Sequence, residues 1–342
     1  MRSHYVLVVV LLLLVVFGIL VFQLNMPNDS HQWKVSGSRS GSFSSQYLYQ
    51  AVNSPLQPLP TVQSSNSHWV QLGKALFNSP LLSADNSVSC ASCHDVFHGG
   101  DDGLPVSTGI NQQVGTRNSP SVLNAVFNFR QFWDGRSLNL KDQAEGPIHN
   151  PVEMGSDWDE VLEKLRSEPN FVQSFQDLSE DGITVENILK AIVSYEESLV
   201  TENAPIDRYL LGEHSALTPQ QQAGYRKFVD YGCVTCHQGR NIGGNLYQKI
   251  GRLDQVPANL LDDPGRYELT KNPQDMHVFK VPSLRNVADT APYFHNGSVD
   301  ELSVAIRIMA RGQLGLDLND ADVADLEALL HAFTGELPRS LQ

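Results

Sequence analysis

Cysteine is scarce in this chain: four residues in 342, and none lies outside two short motifs. None is left over to pair in a disulfide, and none follows the N-terminal apolar run where a lipid could attach. Cations are short too, with 24 Lys and Arg against 38 Asp and Glu and a net charge of −14. A surface of that sign repels a polyanion, which excludes nucleic acid as a partner. No apolar/polar alternation of any length is present, which leaves no signal for an extended strand. A small-x-small cleavage site is also missing after the apolar run, where the chain continues Gln23-Leu24-Asn25-Met26-Pro27.

Arg2 and His4 precede that run, which extends from Tyr5 to Phe22 with Gly18 as its one interruption. Its length stands at the lower edge of a membrane-spanning helix and is long for a signal core. Residues 1–27 are therefore expected to be an uncleaved inner-membrane anchor, or failing that a signal, with Arg2 inside and the body outside the cytoplasm. Residues 28–67 are polar, rich in serine and carry Pro55, Pro58 and Pro60, which reads as a flexible tether.

The four cysteines fall in Cys90-Ala91-Ser92-Cys93-His94 and Cys233-Val234-Thr235-Cys236-His237. Cys-x-x-Cys-His is the attachment motif of c-type haem: two thiols bond the haem vinyls and the histidine reaches the iron. Zinc-ribbon pairs lie about 15–20 residues apart, whereas most of a domain separates these. A redox dithiol would leave both histidines to coincidence. Two covalent haems, and a redox function, are the expectation. Covalent haem c is attached outside the bacterial cytoplasm, which points to a periplasmic body.

The periodic segments are helical. Thr218-Pro219-Gln220-Gln221 is a capping box that launches a helix towards Cys233. Ser156-Asp157-Trp158-Asp159 precedes Val161, Leu162 and Leu165, and Thr184 precedes Ile188, Leu189, Ile192 and Val193. Leu326, Leu329, Leu330 and Phe333 share a face, with Gly335 as a stop signal. The fold class is all-α. A weak repeat, Leu72-Gly73-Lys74-Ala75-Leu76-Phe77 before the first motif and Gly224-Tyr225-Arg226-Lys227-Phe228 before the second, suggests two cytochrome c-like modules. They are expected over 68–204 and 205–342, with the boundary at Pro205.

Five further blocks resemble the bacterial dihaem cytochrome c peroxidases: Arg117–Asn124, Phe132-Trp133-Asp134-Gly135-Arg136, Asn150–Gly155, Phe279–Asn286 and Thr290–Gly297. The resemblance runs from about Trp69 to the C-terminus. It implies a peroxidatic haem on His94 and an electron-transfer haem on His237, with Met309 as second ligand of the latter and Met276 as fallback. It also implies Glu153 as the acid/base for peroxide, Gln143 as its hydrogen-bonding neighbour and Trp133 as the aromatic between the haems. Asn118 with the carbonyls of Thr290 and Pro292 matches an inter-haem calcium site, and oxygen donors suit calcium. The substrate implied is hydrogen peroxide, the electron donor a small cytochrome c or cupredoxin, and homodimers are common in the family.

One position departs from the pattern. Most members place a displaceable histidine ligand where this chain has Ile110, and isoleucine cannot bind iron. The first haem is therefore expected to be open when both irons are ferric. The same loss is found in MauG-like relatives, which oxidise tryptophan side chains of a partner protein; Met309 points back to peroxidase, because MauG itself has tyrosine there.

Overall fold

The computed structural model describes residues 54–60 and 68–341, and the expected anchor lies outside them. In the first half of the chain the helices are α1 (His68–Phe77), α2 (Leu140–His149), α3 (Trp158–Ser167), α4 (Pro169–Gln176) and α5 (Val185–Glu197). In the second half they are α6 (Pro205–Leu210), α7 (Pro219–Asp230), α8 (Tyr267–Thr270), α9 (Leu302–Leu314) and α10 (Asp320–His331). The fold is mostly helical, with one departure from all-α. A two-stranded antiparallel ribbon pairs β1 (Tyr247–Lys249) with β2 (Val278–Lys280), too short to leave a period in sequence. Among the described residues no helix is long and apolar enough to cross a membrane.

Local capping sets where the helices start. Thr218 and Gln221 exchange both capping-box bonds, Gln221 N–H to Thr218 Oγ1 at 3.2 Å and Thr218 N–H to Gln221 Oε1 at 2.9 Å. Thr184 accepts from the Asn187 N–H at the start of α5, and Asp157, rather than Ser156, caps α3. At the C-terminal end, α10 closes at His331 with Ala332 as its cap, before Gly335 is reached.

The weak repeat corresponds to one helix crossing built twice. α1 crosses α5, and α7 crosses α10, each time through a glycine. A Cβ on Gly73 would lie 1.9 Å from the Ala191 carbonyl oxygen, and one on Gly224 would lie 2.0 Å from that of Asp325. Only hydrogen at those two positions lets the backbones approach so closely.

The repeat also extends where the sequence reading did not look. Pro120-Ser121-Val122-Leu123-Asn124 and Pro282-Ser283-Leu284-Arg285-Asn286 share one geometry. Each serine hydroxyl accepts from the backbone N–H two residues on, and each asparagine takes a left-handed φ, 61° and 59°. Phe132-Trp133-Asp134-Gly135 and Phe294-His295-Asn296-Gly297 correspond in the same way. The two Phe and two Gly residues have positive φ, and bridges Gln131–Ser137 and Tyr293–Val299 flank the two turns.

Two cores in the first half, one around Leu76, Val161 and Ile188 and one around Phe77 and Tyr195, are matched in the second by a core around Phe228, Leu329 and Phe333. The chain ends cross over. Leu56 is fully buried in the second-half core, and Leu341 packs with Val70 and Tyr195 of the first. Residues 54–60 therefore depart from the tether expected over 28–67. Gly239 N–H donates to the Pro55 carbonyl at 2.7 Å, and buried Arg285 bonds both Asp207 and the Gln57 carbonyl.

Side chains also tie the halves. Arg117 pairs with Asp134 and with Asp263, both at 2.6 Å. Fully buried Asn124 and Thr201 form a closed set of hydrogen bonds with Asn286. Every polar member of that set has a partner, which is the condition for burial.

Candidate functional site

The two Cys-x-x-Cys-His motifs fold alike. Each is a tight turn in which the histidine N–H donates to the carbonyl of the first cysteine, at 3.0 Å for His94 and 2.9 Å for His237. At the second motif both thiols and the imidazole line one cavity, as a covalent haem requires. Burial pushes the Cys90 thiol up to about 12 and the Cys233 thiol up to about 11, and raises Cys93 as well. Thiols held neutral in this way are poor zinc ligands and poor nucleophiles. A thioether has no charge to desolvate, so the same environment suits haem attachment.

Both histidines are buried and face backbone carbonyls. His94 Nδ1 donates to the Gly100 carbonyl at 3.2 Å, with the Ser119 hydroxyl 3.4 Å away, so its Nε2 bears the lone pair. His237 is buried as well, with the Ile242 and Pro282 backbone carbonyls facing its ring, and burial pushes that ring down to about 4. The neutral imidazole is the form that ligates a metal.

His237 opens onto a cavity with ≈ 1370 Å³ of space not filled by atoms, part of it open to solvent. Cys233, Cys236, Trp133 and Met309 line it along with leucines and aromatics, whereas Met276 is not on its wall. α9 carries Met309 there, packed among Ile250, Val256, Leu260 and Phe279. An apolar cavity with two thiols and an imidazole on its wall and a thioether on the same lining fits a porphyrin; the residues present match the group.

Around the first motif the structure gathers Glu153, Ile110 and Ser107. Glu153 ends the turn after α2, and Asn150 Nδ2 donates to its Oε1 at 2.6 Å. Burial raises its pKa despite that bond and the nearby Arg136 guanidinium. Glu153 lies close enough to Cys93 to raise that thiol, and the Glu153 carbonyl accepts from the Ile110 N–H at 2.8 Å. Ile110 is buried in a closed loop, with Gly109 N–H bonded to the Gln113 carbonyl and Gly115 N–H to that of Ser107. His98, the other imidazole of this segment, is exposed and paired with Asp95 at 2.7 Å. Gln143 is half-buried on α2, one turn before Gly146, against which Phe132 packs.

Between the halves lies a second, smaller cavity. Asn118, Thr290 and Pro292, far apart in sequence, all line it, as do Trp133, Lys280 and buried Asp101. Asn118 Nδ2 donates to the Leu104 carbonyl at 2.9 Å, which leaves its amide oxygen for another partner. Trp133 Nε1–H donates to the Asn118 carbonyl at 2.9 Å, so the tryptophan lines both cavities.

Sequence reasoning missed Ser119, Lys280, His295 and Asp101. The first three lie inside the family-like blocks, where attention to buried polar residues would have found them; Asp101 lies outside those blocks and carries no such signal.

The family model for di-haem cytochrome c peroxidase matches residues 67–215. The chain is 45% identical to the cytochrome c551 peroxidase of Pseudomonas aeruginosa, covering 79% of each chain. It is 44% identical to the cytochrome c peroxidase Ccp of Escherichia coli over 83% of its own length, and spans 62% of that longer protein. A solved MauG-like protein associated with microbial copper homeostasis superposes with a TM-score of 0.70 at 28% identity, covering 82% of this chain and 93% of that one. With both haem motifs in matching turns and relatives of this identity along most of its length, the chain belongs to the di-haem cytochrome c peroxidase family.

Proposed function

We propose that the chain reduces hydrogen peroxide to water at the haem on His94, drawing electrons through the haem on His237 from a small cytochrome c or cupredoxin. The balance is one peroxide, two electrons and two protons giving two waters. A c-type haem supplies the iron that binds peroxide and the store that delivers the electron. The chain moves the protons. Asn150 occupies Glu153 Oε1, leaving Oε2 to take the peroxide proton and return it to the departing oxygen. Burial shifts Glu153 upward, towards the working range of such a relay. Gln143 is assigned to hydrogen bonding in the same pocket, and Trp133 to electron transfer between the haems.

The observation that carries the proposal is Glu153 packed against Ile110 beside the first motif, with no imidazole in that loop. It supports a first haem that needs no displacement of a ligand. The oxidised and the half-reduced enzyme should therefore both turn over peroxide when assayed with a reduced cytochrome. Activity confined to the half-reduced form would defeat the open site; activity in neither would defeat the peroxidase. Met309 on the cavity wall, together with closer similarity to the peroxidases, favours this over oxidation of a partner protein's tryptophans.

Asn118 with the Thr290 and Pro292 carbonyls is proposed to hold calcium between the haems; that the three residues line one cavity supports this, and oxygen donors suit the ion. Modules divided at Pro205, a periplasmic body, an N-terminal inner-membrane anchor and a homodimer complete the proposal.

A further inference from the structure

The cavity beside His237 is almost wholly apolar. Among the residues lining it Lys280 alone carries formal charge; no Asp, Glu or Arg is present. Lys280 is 5% exposed, and among the described residues no carboxylate pairs with its ammonium. Its backbone is fixed, with the N–H donating to the Trp133 carbonyl at 2.7 Å. His295, 2% exposed, lines the same cavity, and its Nε2 is buried without a partner. That ring stacks on Phe279 at 4.2 Å and meets Trp133 edge-on at 6.2 Å.

A buried cation and a buried ring nitrogen, both unpaired, are each costly. Lining the same cavity, they call for a partner that brings negative charge into it. Haem carries two carboxylates, and in an apolar site those carboxylates need a cation of their own. The charges are complementary, and each removes the other's desolvation penalty.

We infer that Lys280 and His295 form the polar clasp for a carboxylate of the haem on His237, Lys280 as its ion-pair partner and His295 Nε2 as its hydrogen-bond donor. The inference rests on the dihaem reading above. Lys280 lines the inter-half cavity as well, as does Trp133, whose carbonyl accepts from the Lys280 N–H. Burial pushes the Lys280 ammonium down to about 8, the direction expected of a cation that lacks its anion. The pair acts as positioning residues. It orients the second haem, and the cation favours the ferrous state, which raises the potential.

The test uses the holoprotein, with haem counted first by pyridine haemochrome. A wild-type protein holding fewer than two haems would sink the dihaem reading and not the clasp. With two present, resonance Raman reads the haem propionate bending band and spectropotentiometry the second haem's midpoint. Lys280→Met should shift the band and lower that midpoint, and Lys280→Arg should restore both. An unchanged band in Lys280→Met overturns the clasp. Should Lys280→Met fail to load the second haem, loading by Lys280→Arg supports the inference and its failure there overturns it.

Discussion

The first and second halves of this protein share a backbone plan and differ in what they place around the iron. Each has a helix crossing through a glycine, a Cys-x-x-Cys-His turn, a Pro-Ser-x-x-Asn turn and a left-handed phenylalanine. The first half then adds Glu153, a closed loop with Ile110, and a hydrogen bond that fixes His94 Nδ1. The second adds a thioether on α9 facing an apolar cavity that its two thiols and its histidine also line. One frame thus holds a buried carboxyl beside one motif and a thioether beside the other.

Removing the acid beside the first site should have the largest effect on that contrast. Glu153→Gln is expected to lower peroxide turnover about 10²–10⁴-fold with both haem spectra intact. Because burial raises the Glu153 pKa, the acid limb of wild-type kcat/KM should lie above the ordinary carboxylate range and vanish in the variant. An unchanged rate would make the two sites functionally alike and the chain an electron carrier.

Installing a ligand comes next. Ile110→His should make turnover depend on prior half-reduction, read as a lag in stopped-flow assays of the oxidised enzyme that reduction abolishes. Met309→Ala should lower the midpoint of the second haem and leave that of the first unmoved, as followed by spectropotentiometry. A shift in both would mean that the halves are not separable in this way.

Structural tests follow with smaller effects. Gly73→Ala and Gly224→Ala should each cost about 1–3 kcal/mol in denaturant unfolding, since a methyl collides with backbone. Beside them stands a pH effect confined to the first half, at Glu196, a buried carboxyl on α5 whose Oε2 has no partner among the described residues. Burial pushes it up to about 8. The folded chain then holds a proton that the unfolded chain releases at ordinary carboxylate pH, so this stability is complete below that range and is lost as pH rises through about 8. Glu196→Gln should flatten the fall in Tm between about pH 5 and pH 9.

Much of this was legible in the chain. Cys-x-x-Cys-His is a contiguous motif whose chemistry depends on five neighbouring residues, and caps such as Thr218 and Thr184 act within one helical turn. Asn118, Thr290 and Pro292 were expected together from resemblance and do line one cavity. The burial of residues 54–60 was not legible, because a serine- and proline-rich stretch looks the same whether free or laid on a surface. Nor was the Trp133–His295 correspondence, which only the shared left-handed turns reveal.

By itself the sequence determined the two haem motifs and the starts of helices such as those after Thr184 and Thr218, because each depends on spacing within a few residues. Tertiary structure alone decided that Trp133, from the first half, lines the cavity of the second, that Met309 rather than Met276 stands on that wall, and that Lys280 is buried there without a counter-charge. Those outcomes depend on how distant segments pack and on which polar groups lose water when they do. No local pattern carries that information.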